Sequence, residues 1–210
     1  FNRIVARLRV QYGDENQVLN DYAAALRKSP QDPMANYHYG LILARLDKRQ
    51  EAISHLKKAL AKRAFDPFIL RDLAKAYFLD GQFEQALKLL KSVESIQPTD
   101  PDTLFFSGRT HLELDQLEKA KDYFSVLIEK EPRYRQAYYF FGKCLNEQGQ
   151  PGEAAANLGA FYWLGRDYRN AALQFKQALK HIKDPDRRRQ IEGKLKSALE
   201  LHEGSKQPPG

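Results

Sequence analysis

The chain has 210 residues, 42% of them hydrophobic, with 34 Lys and Arg against 27 Asp and Glu and a formal net charge of +7. That is apolar content enough for one packed domain or two, and no run is long and apolar enough to cross a membrane. The single cysteine, Cys144, excludes an internal disulfide framework. The basic excess sits in residues 33–66 and 166–210, while 67–134 is slightly acidic, so the continuous basic stripe that tracks a phosphate backbone is missing and nucleic-acid binding is not expected.

Residues 1–32 read as an atypical helical hairpin. Ile4, Val5, Leu8 and Tyr12 fall at helical spacing, Gly13-Asp14-Glu15-Asn16 makes a turn, and Tyr22, Ala25 and Pro30 belong to a second helix. The chain opens on Phe1 without an initiator methionine, and is expected to be a piece of something longer. Three full repeats follow, 33–66, 67–100 and 101–134, started by Asp32-Pro33, Asp66-Pro67 and Asp100-Pro101. Aspartate accepts from the free N–H groups of a first helical turn, and proline suits a first helical position, where no N–H is needed. In 67–100, Leu70, Leu73, Ala74 and Tyr77 form one helical face, Gly81 ends it, Leu87, Leu90 and Val93 form the next, and Pro98 closes the unit. Ala64 stands where the first repeat would have that proline. Residues 135–183 continue with a shift of half a repeat. Tyr138, Phe141-Gly142 and Leu145 make a first helix, and the pattern returns half a period later as Leu158-Gly159 and Tyr162, followed by Ala171, Phe175 and Ala178. The helix near 152–164 then serves as second helix to one neighbour and first helix to the other. Residues 184–203 read as a capping helix, with Ile191, Leu195, Ala198 and Leu199 on one face and Arg187, Arg188, Arg189, Lys194 and Lys196 as a solvated charge run. The tail 204–210 is expected to be disordered.

One period, the interval from Asp32 to Asp66 and again from Asp66 to Asp100, carries two ladders of small side chains: Gly40, Ala74, Gly108 and Gly142, then Ala52, Ala86, Ala120 and Ala154. A small residue on each helix lets hairpin partners approach closely. With Leu73-Ala74, Tyr77, Ala86, Leu90 and Pro98, and Ser107-Gly108, His111, Ala120, Phe124 and Pro132, the unit resembles the tetratricopeptide repeat (TPR). The resemblance implies an all-α solenoid, a right-handed superhelix of about twelve antiparallel helices with a C-terminal cap, acting as a protein–protein interaction module.

No chemistry-bearing motif interrupts this pattern. None of His38, His55, His111, His181 and His202 belongs to an H-E-x-x-H pair, and in His111-Leu112-Glu113 the second histidine is replaced by Asp115. There is no zinc spacing, G-x-S-x-G, P-loop or dinucleotide fingerprint. No catalytic residue, metal or cofactor is expected in this chain, nor a small-molecule substrate. Cys144, two residues after Gly142, reads as a buried, inert thiol.

The run Asn157 to Ala171, the segment Gln174 to Asp184, Arg188 to Leu195 and the opening Phe1 to Leu8 resemble the TPR tail of bacterial periplasmic HExxH zinc metallopeptidases of the BepA type. That resemblance implies a periplasmic module that engages clients or assembly machinery in outer-membrane protein assembly and quality control, the protease lying outside this chain. Without it, the chain would be placed in the cytoplasm. The alternative is a stand-alone scaffold subunit of a pilus, secretion or other multiprotein assembly.

In TPR arrays the first helix of each hairpin lines the concave face. Positions four and eight residues after each repeat start are Tyr37, Arg71, Phe105 and Tyr139, and Leu41, Lys75, Arg109 and Lys143, with Phe68 and Phe78 flanking. These form the expected peptide-binding set, in which cations take carboxylates and rings take apolar side chains. Leu41, Lys75 and Arg109 occupy positions where chaperone-clamping TPR domains carry asparagine, so that clamp is not expected.

Overall fold

A computed structural model describes residues 2–204, so Phe1 and most of the expected tail lie outside the described residues. Among those described there are twelve α-helices and no strand: α1 Asn2–Tyr12, α2 Glu15–Lys28, α3 Pro33–Arg45, α4 Arg49–Lys62, α5 Pro67–Leu79, α6 Phe83–Glu94, α7 Pro101–Glu113, α8 Leu117–Lys130, α9 Arg135–Glu147, α10 Pro151–Leu164, α11 Tyr168–His181 and α12 Pro185–Gly204. The chain divides into two compact units, residues 1–106 and 107–210.

Capping explains where the helices start. The carboxylates of Asp14, Asp32, Asp66, Asp100, Asp167 and Asp184 accept from backbone N–H groups of the turns that follow them, at 2.6 to 3.2 Å. The hairpin turns are written into the backbone even more regularly. Asp47, Gly81, Asp115 and Gly149, one period apart in turn, are all in the left-handed region, and Arg166 follows half a period later. At each, the next N–H reaches back to the carbonyl five residues earlier: Lys48 to Leu43, Gln82 to Tyr77, Gln116 to His111, Gln150 to Leu145 and Asp167 to Tyr162, all within 2.8 to 3.0 Å. This is the Schellman closure of a helix. Asparagine, aspartate and glycine are the residues that tolerate it best, which leaves Arg166 as the costly member.

Small residues set how closely hairpin partners pack. A Cβ added at Gly40 would lie 2.9 Å from the Leu56 side chain, and one at Gly142 would lie 3.1 Å from the Ala154 carbonyl. In the second unit α10 is close to both neighbours. Ala154 meets α9, and Gly159 sits so near α11 that an added Cβ would lie 2.4 Å from the Phe175 ring.

The first unit buries Tyr37, Ile53, Leu56, Ala59, Ile69, Leu73 and Ala76 as one cluster, and Ala6, Val10, Val18, Tyr22 and Ile42 as another. Arg45 reaches across to the carbonyls of Val10 and Gly13 and pairs with Glu15 at 3.1 Å, tying the first hairpin to α3. The second unit buries Ala171, Ala172, Phe175, Ala178, Ile182, Ile191 and Ala198 together, so α12 closes the end of α11. Cys144 is fully buried, and burial pushes its thiol up to about 11, so it is protonated and inert at neutral pH.

The charge run on α12 corrects one expectation. Arg187 forks onto Glu153 of α10 through two bonds of 2.9 and 2.6 Å, and Arg188 donates to the carbonyls of Leu179 and Ile182 at 2.6 and 2.8 Å. These two arginines fasten the cap to the helices beneath it. Arg189, which bonds Asp186 and is 76% exposed, behaves as solvated surface. The reason is geometric: the carbonyls at the end of α11 have no intrahelical partner, and a guanidinium one turn into α12 can satisfy two of them.

Candidate functional site

In the first unit most of the expected binding set is consumed by packing. Tyr37 is 0% exposed, and Phe78 and Phe105 are also buried. Tyr37 instead donates its hydroxyl to Asp72 of α5 at 2.6 Å, joining the first helices of two hairpins. Asp72 is itself buried and has Arg7 of α1 at 3.5 Å. Burial, then the Asp72 charge, raises the Tyr37 phenol well above its ordinary range, so it stays a neutral donor. Replacing Tyr37 by phenylalanine removes one partner of a buried carboxylate, and should lower stability by about 1–3 kcal/mol without altering the helix content. A denaturant midpoint equal to wild type would contradict that reading of the contact.

The expected cations of this unit are likewise occupied. Arg71 bonds Asp100 at 2.7 Å and Lys75 bonds Asp102 at 2.8 Å, with Asp102 also 4.0 Å from Arg71. Burial alone would raise the Asp102 carboxyl. Lys75, with Arg71 and Arg7, outweighs this and holds it below its ordinary value. A depressed carboxyl contributes stability above its unfolded value, and that contribution is lost as pH falls through the folded one. Arg71 also lies over the Phe68 ring at 5.3 Å, and Lys75 over Phe106 at 5.0 Å. Three cations, Arg7, Arg71 and Lys75, thus face three carboxylates, Asp72, Asp100 and Asp102. The positions expected to take a ligand's acidic groups already hold the protein's own. Leu41, only partly buried, packs on the core clusters of its unit.

The second unit differs. Arg109 lies 4.4 Å over the Phe140 ring with Glu113 one turn on, and burial lowers the pKa of its guanidinium. Lys143 and Tyr139, however, are open to solvent. Tyr139 is 44% exposed, and the Lys143 side chain is 54% exposed with Glu147 only at 3.9 Å. Both line a cavity of about 310 Å³ formed by α9, α10 and α11. Its floor is Gly142, Ala154, Ala155 and Leu158, and its rim adds Asn146, Gln174 and Gln177. The Tyr139 ring is held edge-on to Phe140 at 5.1 Å and tilted against Phe161 at 5.5 Å, so it is a fixed wall.

The chemistry of this arrangement is that of recognition. Side-chain amides offer donors and acceptors to a peptide backbone, an ammonium offers a point charge to a carboxylate, and an apolar floor takes a side chain. Asn146, Gln174 and Gln177 were missed by the spacing rule. Gln174 and Gln177 lie on α11, a helix that the spacing rule does not count among the first helices. Among the described residues no group of three His, Cys, Asp or Glu side chains is placed to hold a metal ion, and no helix is long and apolar enough to cross a membrane.

Comparison with known proteins agrees with this architecture. The family model for the tetratricopeptide repeat matches residues 43–104 and 77–138. The chain is similar to the TPR repeat-containing protein MJ1428 of Methanocaldococcus jannaschii, with 29% identity over 138 residues. The match covers 64% of this chain and 23% of that relative, so the chain spans less than a quarter of its length. Among solved structures it is similar to MamA (residue 41 to the end) from Desulfovibrio magneticus RS-1, with 21% identity, 79% and 93% of the two chains covered and a TM-score of 0.68. It is also similar to YrrB, described as a TPR protein with an unusual peptide-binding site, at 18% identity, 87% and 97% coverage and a TM-score of 0.59. At these identities the likeness to the solved structures is one of fold.

Proposed function

Proceeding from a tetratricopeptide-repeat domain, which residues 43–138 carry, we propose that this chain is a protein-interaction module whose ligand is a peptide segment seated in the α9–α10–α11 cavity. The observation that carries this reading is the pairing of an exposed Lys143 and Tyr139 with three side-chain amides over an apolar floor. Tetratricopeptide-repeat proteins act in protein–protein interaction, and the peptide-binding site named for YrrB gives that ligand class a precedent on this fold. The ligand carries an acidic group for Lys143 and an aliphatic or aromatic anchor for the floor beside Tyr139.

The wider setting we propose is the client-binding tail of a periplasmic zinc metallopeptidase in outer-membrane protein assembly. Its support is the likeness of residues 1–8 and 157–195 to the ends of such tails. A coding sequence with an H-E-x-x-H helix upstream of Phe1 bears this setting out. A lipoprotein signal with no protease domain upstream replaces it with the scaffold-subunit reading.

The binding site is tested by selecting a random 16-residue peptide library on the immobilised chain and measuring each enriched peptide against variants. Lys143→Glu should weaken acidic binders about fivefold or more and flatten their salt dependence, in keeping with one partly exposed charge. Gln174→Ala with Gln177→Ala should weaken them further, chiefly through faster dissociation. Arg189→Glu changes net charge equally at an exposed site. If it weakens binding as much as Lys143→Glu, net charge is responsible and the cavity is not the site.

A further inference from the structure

A broad apolar cleft of the first unit lies on elements that the binding reading above does not use. It has a volume of about 520 Å³, and its walls are one face of α4 and one face of α6, with α5 between. On α4 and the loop after it the lining residues are Lys57, Leu60, Ala61 and Ala64, spaced at i, i+3, i+4 and i+7. On α6 they are Gln85, Lys88 and Leu89, again on one helical face, and Leu73 and Tyr77 of α5 form the floor. Leu60, Tyr77 and Leu89 are partly buried and pack against the adjoining core cluster, so the cleft borders the core of this unit.

The repeat itself supplies the control. A position needed only for the scaffold should recur in every repeat, and several of these do not. Ala61 is matched in the other repeats by Arg27, Ser95 and Glu129, and Lys88 by Ser54, Asp122 and Ala156, whereas Leu60, matched by Leu26 and Ile128, belongs to the scaffold. The proline that closes the other units, at Pro30, Pro98 and Pro132, is here Ala64, which lines the cleft. Beside it Phe65 is 85% exposed, where the matching residues are Gln31, Thr99 and Arg133. Hairpin packing does not explain Ala61, Ala64 or Phe65, and each is smaller or more apolar than its counterparts in the other repeats. The charge also runs one way: no acidic residue lines the cleft, and Lys57 and Lys88 stand on its two walls.

We propose that the α4–α5–α6 cleft is a second docking site, for an acidic amphipathic helix of a partner protein. Such a helix lays apolar residues at i, i+3, i+4 and i+7 along two turns of the cleft, with Phe65 packing against its end and carboxylates meeting Lys57 and Lys88. The site is distinct from the α9–α10–α11 cavity and stands or falls independently of it.

The test uses a fluorescein-labelled 16-residue peptide with leucine at i, i+3, i+4 and i+7 and glutamate elsewhere, and its counterpart with lysine in place of glutamate, titrated by anisotropy. Ala61 and Lys57 are exposed on α4, so Ala61→Glu and the pair Lys57→Glu with Lys88→Glu should leave the helix content intact, which circular dichroism checks. The acidic peptide should bind the wild-type chain at least tenfold more tightly than the lysine peptide does. Ala61→Glu should cost at least tenfold, the double reversal at least fivefold, and Lys143→Glu, which touches the other site, at most about twofold. Four outcomes overturn the proposal: no preference for the acidic peptide, no loss in Ala61→Glu, a loss in Lys143→Glu as large as in Ala61→Glu, or self-association of the wild type that Ala61→Glu abolishes. The last would assign the cleft to a second copy of the chain.

Discussion

Gly159→Leu should destabilise the second unit by about 3 kcal/mol or more, the upper end of overpacking costs. The first added carbon would lie 2.4 Å from the Phe175 ring, and three ring atoms lie within 3.0 Å. Phe175 is 1% exposed among Ala171, Ala172 and Ile191, so it cannot swing into solvent to make room. Either the ring leaves its rotamer or α10 and α11 separate. Leucine is the better helix former by about 1 kcal/mol, so the measured loss is net of that gain. Gly193→Ala is the internal reference. It lies inside α12 with nothing within 4 Å of an added Cβ, and should stabilise the chain by about 0.5–1 kcal/mol through backbone entropy alone. Denaturant unfolding of the pair separates close approach from helix propensity. Equal signs for the two substitutions would contradict the assigned α10–α11 contact.

Removing residues 184–210 should have the second large effect. It withdraws fully buried Ile191 and Ala198, the Arg187 fork on Glu153, and the Arg188 bonds that satisfy the end of α11. The exposed face then carries Ala172, Phe175, Leu179 and Ile182. Loss of the Ile191 burial alone is worth about 1.5–3 kcal/mol. With the lost guanidinium bonds, the total is roughly 3 kcal/mol or more, which at about 2–4 °C per kcal/mol lowers Tm by at least ~6 °C. Sedimentation should show self-association through the uncovered face. A chain ending at Lys183 that stays monomeric and melts with the full chain would contradict the capping role. Charge reversal should sort the three arginines in the same order as their bonding: Arg187 and Arg188 costly, Arg189 within about 0.5 kcal/mol of neutral.

How much of this was legible beforehand depended on whether the information was local. Helix starts were readable because an Asp-Pro pair fixes a first turn by itself, and the ladders of small residues were readable because hairpin contact recurs once per period. The turn conformation at Asp47, Asp115 and Arg166 was not read from residue type, since only Gly81 and Gly149 advertise it. Spacing alone would have found them, because they continue the same series. The binding set failed for a different reason. Periodicity places Tyr37 of α3 and Arg71 and Lys75 of α5 on matching faces of their helices but says nothing about what the next hairpin brings to that face. Asp72 lies 35 residues beyond Tyr37, and Asp100 and Asp102 lie 29 and 27 beyond Arg71 and Lys75. Asp100 was legible as a helix cap, and it is a cap, but its second oxygen serves Arg71 as well. Of the ten expected residues Tyr139 and Lys143 are brought together in an open cavity, whose rim takes Gln174 and Gln177 from α11, a helix that the spacing rule left out of the set.

The most direct measurement of the central claim is amide chemical-shift mapping of the 15N-labelled chain, titrated with the tightest acidic peptide from the library selection. The cavity reading predicts that the perturbed amides concentrate on α9 from Tyr139 to Asn146 and on α11 around Gln174 and Gln177. Residues 68–75 of α5, whose cations are already neutralised by Asp100 and Asp102, should be left unmoved. Perturbations centred on Arg71 and Lys75, with α9 and α11 silent, would contradict it.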